Sequence, residues 1–167
     1  TPFAAARDAE DVRETLTRYF DLASDIIGQY GGTIEKFIGD AVMAVFGVPT
    51  TYEDDALRAV RAAVEMRDAL PELDLQGRIG VMTGEVVAGT AERLVTGDPV
   101  NVAARLEAAA DPGTVLVGQP TLELVAAADG MALESSISRS VTSVSGSRPS
   151  STRTCRRIAL GVPPYRP

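Results

Sequence analysis

Residues 33–47, TIEKFIGDAVMAVFG, hold two short β-type runs either side of Gly39-Asp40. A two-residue Gly-Asp connection between such runs predicts a β-hairpin with a type II′ turn. Both flanks have a different period. Upstream, Val12, Leu16, Tyr19, Phe20, Ala23, Ile26, Ile27 and Tyr30 recur at helical spacing, and Gly31-Gly32 ends that helix. Downstream, YEDDALRAVRAAVEMRDAL returns to helical period, with acids in its first turn and Pro71 after it. A tight hairpin held between two amphipathic helices restricts the chain to an α+β arrangement.

The pattern continues. GRIGVMTGEVVAG and ERLVTG read as two strands of a second hairpin. GDPVNVAARLEAAADPG is a helix with marked ends: Asp98 fits the N-cap, Pro99 fits N1, and Asp111-Pro112-Gly113 closes it. TVLVG is a further strand and PTLELVAAA a short helix. The order α, hairpin, α, hairpin, α, β, α predicts an α+β sandwich, its sheet mostly antiparallel and its helices packed on a sheet face. Such a sheet would normally want a strand before its first helix, so an N-terminal strand is expected to be missing.

From about Glu134 the period is lost. SSISRSVTSVSGSRPSSTRTCRR is rich in Ser and Arg and is expected to lack packed structure. It reads either as a natural basic tail or as a segment translated out of frame. The division is therefore 1–134 as the folded domain and 135–167 as tail. All 23 acidic residues lie in 1–134, which carries −13, whereas 135–167 carries +6. A domain at −13 is a poor partner for nucleic acid through phosphate contacts. No apolar run approaches a membrane span and no signal-peptide pattern is present. Cys155 is the single cysteine, which excludes an intrachain disulfide and favours a reducing, cytoplasmic setting. The absence of histidine removes His-based acid–base catalysis and His metal ligands.

Four residues stand out. Asn101 and Arg105 are spaced i,i+4 near the start of their helix. There an amide can hold a ribose oxygen, and a planar guanidinium can meet a phosphoryl group at two points. The bland alternative is a solvated polar face. Asp40, at a tight turn beside an apolar hairpin, is either a good turn residue or a carboxylate for Mg²⁺ shared with phosphate oxygens. Lys36 is the only lysine, against fifteen arginines. Simple alternation places it with Ile34 and Ile38 on an apolar face. Other signals fail. Gly84 and Gly89 have P-loop spacing, but no Lys-Ser/Thr follows. The acids at 53–55 read as helix N-terminal charges rather than a metal cluster.

Taken in order, GGTIEKFIGDAVMAVFG, RIGVMTGEVVAG and VTGDPVNVAARLEAAADPGTVLVG closely resemble the catalytic domain of class III nucleotidyl cyclases, in the bacterial adenylate cyclase branch. The likeness runs from about Asp8 to Ala128 and implies a ferredoxin-like, cyclase-type sandwich. It implies conversion of ATP to 3′,5′-cyclic AMP and pyrophosphate, with two Mg²⁺ or Mn²⁺ ions held by two aspartates. Asp40 matches the second of these. Lys36 matches the lysine at the adenine ring, Asn101 the ribose-orienting asparagine, and Arg105 the arginine that stabilises charge at the reacting phosphorus. The resemblance implies a homodimer whose two sites each draw residues from both chains. The departures are specific. The first metal aspartate belongs to the family strand that precedes Thr1. Leu94 occupies the second base-reading position, usually Asp or Thr, and cannot accept a hydrogen bond from the exocyclic amine. Met82 stands where relatives often have His or Asn. The family's Lys-Gly-Lys phosphate contact finds no match after Glu134. A catalytically degenerate dimerisation or nucleotide-sensing module is the alternative, and a guanylyl cyclase a weaker one, since a guanine site would want an acid at position 36.

Overall fold

The computed structural model describes residues 9–88, 95–128, 141–144, 156–162 and 164–165. Helix α1 (Ala9–Gln29) buries Tyr19, Ala23, Ile26 and Ile27 along one stripe. It ends as its glycines predict: the Gly31 N–H donates to the Gly28 carbonyl and the Gly32 N–H to the Ile27 carbonyl, with Gly31 at φ +76°. This Schellman closure needs a left-handed residue after the cap. Strands β1 (Thr33–Ile38) and β2 (Ala41–Phe46) form the expected hairpin. Gly39 takes φ +64° while Asp40 keeps a negative φ, the φ pattern of a type II′ turn.

The alternation predicted for Lys36 is broken. Ile34 pairs with Ala44 but Lys36 pairs with Met43, so Glu35 is an extra, bulged residue. Ala44 belongs to the main core, whereas Met43 lies in a separate cluster on the opposite sheet face. Lys36 therefore shares a face with Met43 and Ile38, and not with Ile34. The cause is visible in the spacing: Ile34 and Phe37 are three apart, and a period-2 strand can turn both toward α1 only by inserting one residue. Phe37 packs against Phe20 of α1 with the rings tilted at 52° and centroids 4.5 Å apart.

Helix α2 (Asp55–Ala69) runs into a 3₁₀ turn over Leu70–Leu73 that contains Pro71. Strand β3 (Gln76–Glu85) follows. The second hairpin is shorter than expected: β4 (Val87–Ala88) pairs antiparallel with β5 (Val95–Thr96) as a separate ribbon, while β3 belongs to the main sheet. Helix α3 (Asp98–Ala109) starts one residue earlier than its sequence suggests, with Gly97 as N-cap and Asp98 in the first turn. Strand β6 (Thr114–Gly118) and α4 (Gln119–Ala128) complete the readable elements.

The sheet is mixed, which corrects the mostly antiparallel expectation. Its order is β1-β2-β8-β3-β6-β7; β6 is parallel to β3, and β7 (Val141–Val144) is parallel to β6. The Ser/Arg-rich segment, expected to carry no regular structure, supplies β7, β8 (Arg156–Val162) and β9 (Pro164–Tyr165). β8 lies antiparallel between β2 and β3 and pairs with both. Short stretches of alternating residues inside a polar, basic composition hid these strands.

The sheet separates two helix layers. Ile79 and Val81 of β3 join Phe46, Val60, Met66 and Val125 in the main core under α1, α2 and α4. The buried hydroxyls of Thr83 and Thr121 lie 2.8 Å apart and tie β3 to α4. On the other face α3 lies directly on β3. A Cβ on Gly80 would sit 2.6 Å from the Glu107 backbone nitrogen and closer still to the Ala103 carbonyl oxygen, and one on Gly84 would meet the Pro99 ring. Glycine at these two same-face positions is what lets the helix backbone seat on the strand.

Candidate active site

Two elements carry the residues singled out above. The β1–β2 hairpin brings Lys36, exposed on its edge strand, and Asp40, half-exposed at the turn. Helix α3 brings Asn101 and Arg105, both exposed, one turn apart at its N-terminal end, while Pro99, Ala103 and Leu106 are buried against the sheet. The bulge at Glu35 turns Lys36 toward the same sheet face that α3 covers. Between them lies a small apolar floor: Met43 and Val45 of β2 pack with Val48, Val86 and the α3 residue Val100. Val100 immediately precedes Asn101. The structure thus places Lys36, Asn101 and Arg105 on one face of the sheet, with Asp40 at the hairpin tip. Leu94 lies outside the described residues.

Burial dominates the two perturbed groups near Asp40, and Asp40 adds to both. Its charge bears on groups in both helix layers. Tyr19, fully buried on α1, has its phenol pushed far above the usual range, first by burial and then by Asp40. Glu107 on α3 has its carboxyl raised, first by burial; Arg78 opposes the rise and Asp40 adds to it. Among the described residues no three Asp, Glu, His or Cys side chains cluster as a metal cage. One half-exposed carboxylate fits a hard divalent cation that takes most of its oxygens from water and phosphate, as Mg²⁺ does.

Of the acids at 53–55, Asp54 and Asp55 serve structure at the start of α2. Asp55 is buried, accepts the Tyr52 N–H at 2.7 Å and pairs with Arg58, which also meets Asp54 at 3.2 Å. Arg58 donates to the Tyr30 carbonyl at 3.2 Å and lies over the Tyr52 ring at 4.9 Å. The Tyr30 hydroxyl donates to Glu65 at 2.6 Å. These contacts clamp the end of α1 to α2. Sequence reasoning missed the apolar floor and the neighbourhood of Glu107. The floor had a signal: AVMAVF is apolar at every position, and a strand covered on both faces reads that way.

A family model described as the adenylate and guanylate cyclase catalytic domain matches residues 1–152. The chain belongs to the class III nucleotidyl cyclase catalytic domain family. Among curated relatives, an uncharacterized protein of Mycobacterium tuberculosis is 37% identical over 132 residues, covering 73% of this chain and 23% of that protein. A second from the same organism is 35% identical over 135 residues, covering 74% and 25%. This cyclase domain thus spans about a quarter of the length of the curated relatives it matches. Among solved structures, the adenylyl cyclase CyaB from P. aeruginosa aligns with TM-score 0.68 at 27% identity, covering 96% of this chain and 86% of that one. The guanylyl cyclase Cya2 aligns with TM-score 0.67 at 28% identity, covering 96% and 84%. The guanylate cyclase domain of RhGC from Catenaria anguillulae, solved in complex with GTP, aligns with TM-score 0.63 at 25% identity, covering 73% of each chain. Cyclases of both base specificities share this fold, so the fold leaves the purine open. No helix of the described residues is long and apolar enough to cross a membrane.

Proposed function

We propose that the chain is an adenylate cyclase catalytic domain that converts ATP to 3′,5′-cyclic AMP and pyrophosphate. The observation that supports this reading is that Lys36 and the helix carrying Asn101 and Arg105 lie on the same side of the sheet, sharing the apolar cluster of Met43, Val45 and Val100, with Asp40 at the hairpin tip. Lys36 reads the adenine by donating to a ring nitrogen, with the apolar floor of Met43, Val45 and Val100 beneath it. A guanine would present a carbonyl and a ring N–H instead, and an acidic side chain would suit it better. Asn101 holds the ribose and sets the angle of its 3′-hydroxyl. That oxygen forms a new bond to the α-phosphorus as the bond to the bridging oxygen breaks; pyrophosphate leaves and the hydroxyl proton passes to solvent. Arg105 offers a two-point contact to the phosphoryl oxygens where charge builds in the transition state. Asp40 would hold Mg²⁺ or Mn²⁺, which neutralises phosphate charge when bound.

The reading includes a twofold homodimer with composite sites, in which Asp40 serves one site and Lys36, Asn101 and Arg105 of the same chain serve the other. The catalytic machinery is assigned to 1–134 and the setting to the cytoplasm. The test uses protein extended by the strand that carries the other family aspartate. Asp40→Ala and Arg105→Ala chains should each lose cyclic AMP formation by on the order of 10²–10³-fold. Mixed, they should regain part of it, because one of the two sites in each mixed dimer draws both intact residues. Failure of mixing to restore turnover would refute the composite site. Faster turnover of GTP than of ATP would assign the domain to guanylate cyclisation. Mn²⁺-dependent nucleotide binding without turnover would favour the sensing module.

A further inference from the structure

We propose that Phe20 and Phe37 are positioning residues: their ring pair fixes the tip of the β1–β2 hairpin, and so the place from which Asp40 offers its carboxylate to a divalent cation. The tip has few other supports among the described residues. The β1–β2 ladder closes at Ile38 with Ala41, and the last described pair of β2 with β8, Val42 with Val162, lies two residues from Asp40. β1 has a described strand on one side only. A Cβ on Gly39 would meet nothing within 4 Å, and Ile38 is exposed. The ladder therefore sets the shape of the turn, while the direction of the tip depends on what the strand before it packs against.

That contact is aromatic. Phe37 lies three residues before Asp40 and pairs with Val42, a residue of the main core, so both face the layer that holds α1. The Phe37 ring meets Phe20 with centroids 4.5 Å apart and planes at 52°. Phe20 in turn lies against Tyr19, 5.2 Å away at 46°, and Tyr19 is fully buried. Tilted rings at these separations attract one another beyond the area they bury. The series Tyr19, Phe20, Phe37 thus runs from the interior face of α1 to within three residues of Asp40. The Tyr19 phenol, raised first by burial and then by Asp40, puts the turn within electrostatic reach of the same stretch of α1. A cation held jointly by one carboxylate and by phosphate oxygens depends on where that carboxylate stands. A tip released from α1 presents Asp40 correctly for only part of the time, and the apparent affinity falls by that fraction.

The role toward the cation rests on the cyclase reading; the fixing of the tip does not, and the tests keep the two apart. Backbone amide relaxation of the full chain reads the tip. In the parent, the order parameters of Gly39 to Ala41 should match those of β2. In Phe37→Ala and in Phe20→Leu they should fall below about 0.6, with cooperative melting and helical circular dichroism kept. Phe37→Tyr keeps the ring, and from this exposed position its hydroxyl reaches water, so the order should be kept. Unchanged order at the tip in Phe37→Ala would overturn the proposal. Mn²⁺-supported binding of a fluorescent ATP analogue reads the role toward the cation. Phe37→Ala should weaken it by about three- to tenfold, and Phe37→Tyr should leave it as in the parent. In an Asp40→Asn chain the same Phe37→Ala change should cost nothing further, because no carboxylate is left to position. A loss of equal size in both backgrounds would show a general structural effect and overturn the positioning role. Mn²⁺-supported binding that survives Asp40→Asn unchanged would refute the cyclase reading of Asp40 and the positioning role with it, while the relaxation result still decides whether the ring pair fixes the tip.

Discussion

Replacing Gly80 by alanine puts a methyl group where α3 lies on β3. The new carbon would stand 2.6 Å from the Glu107 backbone nitrogen, 3.1 Å from the Leu106 Cβ and nearer still to the Ala103 carbonyl oxygen. Ordinary contact between carbon atoms begins at about 3.5 Å. Both nearest neighbours are backbone, so no side chain can rotate away, and α3 must lift by about 1 Å. Overpacking of this kind costs about 2–3 kcal/mol. For a chain of this size that is a fall in melting temperature of roughly 5–10 °C. The same lift moves Asn101 and Arg105 away from the face shared with Lys36, and a displacement of about 1 Å at a reacting site can cost on the order of 10²-fold in rate. Gly28 supplies the control. It lies in α1, and a methyl group there would meet nothing within 4 Å, so Gly28→Ala should raise stability by about 0.5–1 kcal/mol. The assay is thermal unfolding followed by circular dichroism, with initial rates of cyclic nucleotide formation on the same samples. A Gly80→Ala protein that melts within about 2 °C of the parent, on the order of 1 kcal/mol or less, would refute the close seating of α3 on β3.

Arg58→Ala removes the partner of buried Asp55 while leaving that carboxylate in place. Arg58 is partly exposed, so the loss should be about 2 kcal/mol in urea unfolding rather than the full cost of an isolated buried charge, and Arg58→Ala with Asp55→Ala should recover part of it. Burial raises the Glu107 carboxyl, so the fold is most favoured when Glu107 is protonated, and that contribution fades as pH rises through its folded value. Glu107→Gln should therefore melt above the parent at neutral pH and converge with it below about pH 4, near the ordinary carboxylate value; a parallel offset at all pH values would sink the argument. Deleting Glu35 removes the bulge but keeps Ile34 opposite Ala44 and Lys36 opposite Met43, because the two registers differ by that one residue. Nuclear Overhauser contacts between positions 36 and 43 should persist in the deletion chain, and their loss would show that the bulge lies elsewhere.

Much of the fold can be read from local signals. The hairpin follows from Gly39-Asp40, the end of α1 from Gly31-Gly32, and α2 and α3 from helical period with marked ends, with α4 as a short helix. The errors have physical causes. Period-2 reasoning placed Lys36 with Ile34 because a bulge leaves no single-residue mark; only the three-residue spacing of Ile34 and Phe37 betrays it. The parallel β3–β6 pair depends on the path of α3 across the sheet, which no local pattern encodes. β8 was hidden because arginines and serines around it dominate the composition, while its apolar residues number only three large ones. The candidate site was chosen at the level of residue types. Asn101 and Arg105 at i,i+4 and Asp40 at a turn are each ordinary alone, and their meaning came from the order of three motifs. Their shared face came from the structure, through the bulge and the glycines of β3.

The bulge and the lysine also protect the molecule. Among the described strands β1 is an edge of the sheet, and it exposes Phe37 and Ile38 at 47% and 57%. A flat edge with two exposed apolar residues invites another chain to add a strand. Glu35 kinks that edge, and Lys36 sets a charge in its middle that any added strand would have to bury. The residue proposed to read the base is thus also a guard against self-association. Substitutions at Lys36 should be judged by the amount of soluble monomer or dimer they leave as well as by nucleotide choice.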